Sequence, residues 1–145
     1  MSSIFLNNLT YKKEIFFLFF LYVTLIISFF LNENSTGGAV IDYSANKITI
    51  QAFASEFLET FYGYESVFTR HSPVLYIFLS LLERINLPDY VIRLIHLHLC
   101  LFLPFLFYKC LAVKFSEIDK KILLFLSCII FLSPTFRTLA IWPDS

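Results

Sequence analysis

The sequence predicts an all-α integral membrane fold of about three transmembrane helices. A large outer loop carries an interfacial amphipathic helix and a short re-entrant or interfacial helix. Three observations predict this. Of 145 residues, 58% are apolar and only 15% charged, where soluble domains average about 25% charged. Mean hydropathy is +0.74. Three apolar runs are long enough to cross a bilayer, and the lysines gather on one side of them.

The same composition excludes several function classes. Net charge is zero, so no nucleic-acid partner is expected. The three cysteines, Cys100, Cys110 and Cys128, form no C-x-x-C pair and are odd in number, which argues against disulfide and zinc frameworks. They read as small buried hydrophobes. With three glycines in total there is no Gly-rich phosphate loop of the dinucleotide or P-loop type.

Residues 1–14 are polar and end in Tyr11-Lys12-Lys13-Glu14. Residues 15–31 are apolar except for Thr24 and Ser28, and as a helix span roughly 25 Å. The run is longer than a signal-peptide core and no A-x-A-like site follows it, so it reads as a retained anchor. The outer loop, residues 32–89, then places Asp42 just before a periodic segment, 48–61. There Ile50, Phe53, Ala54, Phe57, Leu58 and Phe61 share one helical face, opposite Gln51, Ser55, Glu56, Glu59 and Thr60. Such a helix lies flat in the interface, with Asp42 as its N-cap.

Residues 72–82 form a second apolar stretch, roughly 16 Å as a helix and half a hydrocarbon core. Pro73 suits its first turn. Two spans follow, 90–113 and 122–142, joined by an inner loop at 114–121. If 72–82 does not cross, six lysines (Lys12, Lys13, Lys109, Lys114, Lys120, Lys121) lie inside, against Lys47, Arg70 and Arg84 outside. The positive-inside rule then sets the N-terminus in the cytoplasm and the 32–89 loop outside. Three helices and a loop bury little polar surface, so the chain reads as the N-terminal portion of a larger protein, inactive alone.

Several polar residues could carry chemistry. Asp42 is a cap or a catalytic carboxylate. Arg70 and His71 are interfacial anchors or a cation pair for phosphate, Arg supplying a fork geometry. Arg93, His96 and Cys100 share one face of the second span, where an arginine either snorkels or meets a partner; Arg137 poses the same choice in the third. Asp144 is a solvated turn residue unless it converges with Asp42.

In order, these features resemble the C superfamily of membrane glycosyltransferases (GT-C), in the bacterial branch of protein O-mannosyltransferases and aminoarabinose transferases. The matching residues are Ile41-Asp42 early in the first outer loop, His71-Ser72-Pro73-Val74-Leu75-Tyr76, Arg93 opening the second span, the lysine-rich inner loop, and Asp144 at the outer end of the third. The resemblance implies transfer of a sugar from a polyprenyl-phosphate donor to an acceptor, on the outer face of the bacterial inner membrane. It makes Asp42 the catalytic residue and Asp144 its assistant, with a divalent metal (Mg or Mn) between them in members that use one. Many relatives have Asp-Glu in the first loop, and here Tyr43 follows Asp42. Lys47, Arg70, His71 and Arg93 are the candidates for binding the donor, whose leaving phosphate needs cations. The membrane lipid itself is the other expected partner. Readings from other classes are a small non-enzymatic membrane subunit and a transporter fragment with Arg93, His96 and Arg137 along its path.

Overall fold

The computed structural model describes residues 16, 18–34, 37–67 and 72–143. Every regular element among them is helical. The helices are α1 (Leu18–Phe30), α2 (Ala39–Ser55), α3 (Phe57–Tyr62), α4 (Pro73–Arg84), α5 (Asp89–Cys100), α6 (Phe102–Lys114), α7 (Lys120–Cys128) and α8 (Pro134–Ile141).

Two of the turns are set by asparagine rather than glycine. Asn32 follows α1 with φ 51° and Asn86 follows α4 with φ 56°. Asn32 N–H donates to the Phe29 carbonyl and Glu33 N–H to that of Ser28, both at 3.0 Å. Asn86 N–H donates to Glu83 (2.8 Å) and Leu87 N–H to Leu82 (3.5 Å). Both are Schellman turns, in which a left-handed residue satisfies the last helical carbonyls. Asparagine tolerates this conformation because its short polar side chain bonds locally.

α2 begins at Ala39, nine residues before the periodic segment that starts at residue 48. Gly37, at φ +76°, turns the chain, and Gly38 is an N-cap with no side-chain bond. Asp42 therefore lies in the first turn of α2 rather than at its cap, still near the positive end of the helix dipole. The apolar face divides. Ile50 and Phe53 are buried, whereas Leu58 is 66% exposed and Thr60, assigned to the polar face, is buried. The division comes from a break at Glu56 (φ −131°, ψ 62°). Just before it, Ser55 Oγ donates back to the Gln51 carbonyl at 3.0 Å, a bond that bends helices. Arg84 takes up carbonyls at the break, its Nε donating to Ala54 (2.7 Å) and Nη2 to Phe53 (3.3 Å).

α4 is the short apolar stretch. Ser72 Oγ accepts from Val74 N–H and Pro73 occupies the first turn, as expected of a Ser-Pro start. Its Tyr76 and Leu79 pack with Ile50 and Phe53 of α2 in one core. Tyr76 O–H also donates to Asn46 Oδ1 at 2.8 Å. α2 and α4 thus form a hairpin, with Phe53 turned into its partner.

α5 and α6 run on as one helix, Asp89–Lys114, the one helix among the described residues long and apolar enough to cross a bilayer. The turn at Leu101 precedes Pro104, which cannot donate to the Cys100 carbonyl and crowds it. The 122–142 segment is not a straight span. It is α7 with a short 3₁₀ turn, then α8, bent by 70° at the break. Pro134 opens α8 and Ser133 caps it, its Oγ accepting from Phe136 N–H at 3.3 Å. A proline in the first turn starts a helix well but ends the preceding one. Cys128 is buried and Cys100 half-buried, while Cys110 is exposed on α6, contrary to the reading of all three as buried.

Candidate functional site

The exit of α1, the first half of α2, the start of α5 and the end of α8 converge at one end of the bundle. At helical spacing, Tyr43 and Lys47 are one turn apart on α2, and Asp89 and Arg93 one turn apart on α5. Both α2 side chains reach Asp89 Oδ1, Tyr43 O–H at 2.8 Å and Lys47 Nζ at 2.8 Å. Burial alone would raise the Asp89 carboxyl. The hydrogen bonds from Lys47 and Tyr43, with the charges of Lys47 and Arg93, outweigh it and hold the group below its ordinary value. Tyr43 moves the other way: burial first, then the bond to Asp89, push its hydroxyl well above the usual phenol range.

Arg93 is 7% exposed, so it does not snorkel. Its Nε donates to the Ile141 carbonyl (3.1 Å) and its Nη2 to Asn32 Oδ1 (3.3 Å). The guanidinium carbon stands 3.4 Å from the Trp142 ring centre and 5.1 Å from that of Phe29. One residue thereby ties α1, α5 and α8. His96, on the same face, places Nδ1 3.3 Å from the Ala140 carbonyl, and Cys100 Sγ approaches the His96 ring at 3.8 Å. The predicted common face of Arg93, His96 and Cys100 therefore exists, and its first two members meet the end of α8.

Arg137 continues the cluster. Its Nη2 donates to Glu33 Oε2 at 2.7 Å and to Ser28 Oγ. Trp142 Nε1 donates to the Glu33 carbonyl at 3.0 Å. Arg137 Nε and Asn34 Oδ1 are buried without a hydrogen-bond partner among the described residues.

The predicted residues fare differently. Lys47 and Arg93 are brought into one cluster through Asp89. Asp42 is exposed, its Oδ2 lying 3.3 Å from where a Cβ on Gly38 would stand. Arg70, His71 and Asp144 lie outside the described residues. Among the described residues no three His, Cys, Asp or Glu side chains gather as a metal site would need; Asp144, the other half of the expected metal pair, lies outside them. The residues that sequence reasoning missed are Asp89, Glu33, Asn32 and Trp142. The available signal was the paired spacing, Asp89 with Arg93 and Tyr43 with Lys47, four residues apart on two helices.

The chain matches no family model, no curated protein and no solved structure.

Proposed function

We propose that the chain is an integral membrane protein of three crossings and a GT-C-like glycosyltransferase. It would move a sugar from a polyprenyl-phosphate donor to an acceptor on the outer face of the bacterial inner membrane. The observation that carries this reading is the polar cluster where α1, α2, α5 and α8 meet. It lies at the end that the lysine distribution assigns to the outside, away from Lys109, Lys114, Lys120 and Lys121. There Lys47 pairs with Asp89 and Arg137 with Glu33, and the charge of Arg93 acts on Asp89. Cations gathered in this way suit a phosphate leaving group.

In this reading Asp42, exposed on the first turn of α2, takes the proton of the acceptor hydroxyl. Lys47, one and a half turns further on, faces the donor phosphate with Arg70 and His71. Asp89 and Tyr43 hold Lys47 in place. Asp144 assists Asp42, and Arg93 keeps α8 against α5 so that the two acids share one surface. The test is transfer of labelled sugar from polyprenyl phosphate in membranes carrying the full-length protein. Asp42→Asn keeps the shape and removes the basicity, so a general base predicts a loss of about 10²-fold or more. Unchanged transfer ends the assignment.

One observation favours a second reading, a small non-enzymatic membrane subunit. Arg93 and Arg137 donate to carbonyls and side chains of the chain itself, as a brace would. A chain that shows no transfer but still co-purifies with a partner membrane protein supports that reading.

A further inference from the structure

A groove of about 430 Å³ lies between α1, α6 and α7, lined among others by Leu18, Tyr22, Pro104, Phe105, Leu124 and Phe131. We infer that it seats one acyl chain of an anionic phospholipid from the inner leaflet, with the head group at Lys109. The inference rests on the three-crossing topology proposed above and not on transferase activity.

Depth places the groove in the inner half of the bilayer. Along the continuous helix, Leu101 to Tyr108 lie about 18–28 Å from Asp89 at 1.5 Å per residue, beyond the midpoint of a hydrocarbon core about 30 Å thick. Lys109 lies about 30 Å from Asp89, at the inner boundary. Leu124 of α7 and Phe131 of the 3₁₀ turn after it lie about 5 and 15 Å beyond Lys121, which keeps them in the same half. The groove therefore lies apart from the outer cluster.

The lining selects an apolar occupant. Tyr22 O–H is tied to His98 Nε2 at 3.0 Å, and His98 Nδ1–H to the Leu94 carbonyl at 2.7 Å. Ser127 Oγ donates to the Leu124 carbonyl at 2.7 Å. These hydroxyl protons are spent within the chain. The rim residues Leu18, Phe19 and Phe105 are exposed, so the groove opens sideways onto an apolar surface. Its volume is about three times that of a cavity that holds benzene, roughly 150 Å³, which matches one flexible chain.

Charge selects the head group. Lys109 Nζ stands 5.3 Å from the ring centre of Phe105, a groove residue, so a cation hangs at the inner mouth. Lys114, Lys120 and Lys121 are exposed nearby in sequence, while Asp119 is engaged as the cap of α7, accepting from Lys121 N–H at 2.7 Å. Basic side chains at a membrane surface attract acidic lipid at about 1 kcal/mol each.

The test titrates the detergent-purified full chain with phosphatidylglycerol, phosphatidylcholine or polyprenyl phosphate and reads bound lipid by native mass spectrometry. Phosphatidylglycerol should bind about tenfold more tightly than phosphatidylcholine. Lys109→Glu should erase that preference, Lys109→Arg should keep it, and Leu18→Trp, which fills the groove from its exposed rim, should weaken both lipids. Trp142 fluorescence checks that the Lys109 variants are folded, and far-UV circular dichroism does so for Leu18→Trp, which carries a second indole. Equal binding of the two phospholipids, indifference to Lys109→Glu, displacement by polyprenyl phosphate, or dimers lost in Leu18→Trp would each overturn the inference. Alkaline carbonate extraction of membranes separates the two levels. A chain that stays in the membrane but shows no lipid preference refutes only this inference; one that is extracted refutes the topology and the inference together.

Discussion

Replacing Arg93 by lysine keeps the charge and removes the fork, and its cost follows from three contacts. The guanidinium donates to the Ile141 carbonyl and to Asn32 Oδ1 and stacks on Trp142 at 3.4 Å. A hydrogen bond from a charged donor contributes about 1.5–3 kcal/mol, and a desolvated cation–π contact about 2 kcal/mol. Lysine, a point charge on a flexible stem, reaches one carbonyl but not both partners and loses the flat stack. Arg93→Lys should therefore lower stability by about 2–4 kcal/mol. Trp142 is the sole tryptophan, so one assay reads both effects: reversible unfolding in mild detergent by SDS titration, followed by indole fluorescence. The folded-state emission should shift as the cation leaves the ring. Asn32→Gly supplies the second arm, because glycine accepts φ 51° but offers no acceptor. The two changes should couple by about 1 kcal/mol in a double-mutant cycle, above the few tenths expected of independent sites. A loss below about 1 kcal/mol with unaltered emission would refute the bracing role, and additive changes would refute the Asn32 bond.

The divided face of α2 and α3 predicts that Phe53→Ala, at a fully buried position, costs about 3–5 kcal/mol while Leu58→Ala is nearly neutral; equal costs in chemical unfolding would restore a single continuous face. Arg84→Ala releases the Ala54 and Phe53 carbonyls and should cost about 1 kcal/mol, reduced from a buried charged bond by exposure. Faster amide exchange at the end of α2 is the matching readout, and unchanged exchange there would show that the break holds without Arg84. For pH, the folded Asp89 carboxyl lies below its ordinary 3.8, so its contribution is present above that value and is lost as pH falls through the lower folded value. The unfolding midpoint should drop on that acid limb in the wild type, and less so in Asp89→Asn; identical limbs would remove Asp89 from the pH response.

The helical class, the short stretch at 72–82 and the long helix from Asp89 were legible because each rests on local chemistry. Composition, run length and a Ser-Pro start act within a few residues of themselves. The misplaced features depend on what is not local. The period at 50–61 is genuine, but a helix persists through it only if Ser55 does not bend back and no partner takes its carbonyls. Arg84, which does so, lies 30 residues further on. The bend at Ser133 and Pro134 was written in the sequence, yet an apolar run of sufficient length reads as one span whenever length is weighed before proline.

The cluster shows the same limit more sharply. Arg93 and Lys47 were chosen as cations that a phosphate would want, and each proves to have a partner inside the chain. Asp89 went unread because it sits at a loop boundary, where an acid beside a helix start has an ordinary explanation in the dipole. Its meaning comes from α2, where Tyr43 and Lys47 repeat at the same four-residue step and so present two donors to one oxygen. A pair of i, i+4 polar couples on separate amphipathic helices is thus a stronger mark of a buried polar contact than any one of the four residues. By that mark Asp89, not Asp42, is the carboxylate held by two donors of α2. The two acids differ by position: Asp89 is held by Lys47 and Tyr43, whereas Asp42 is exposed and free of such contacts among the described residues. On the transferase reading proposed above, a general base must be free to take a proton and a positioning acid must not, so Asp89 would serve as the positioning acid and Asp42 would be the one available as the base.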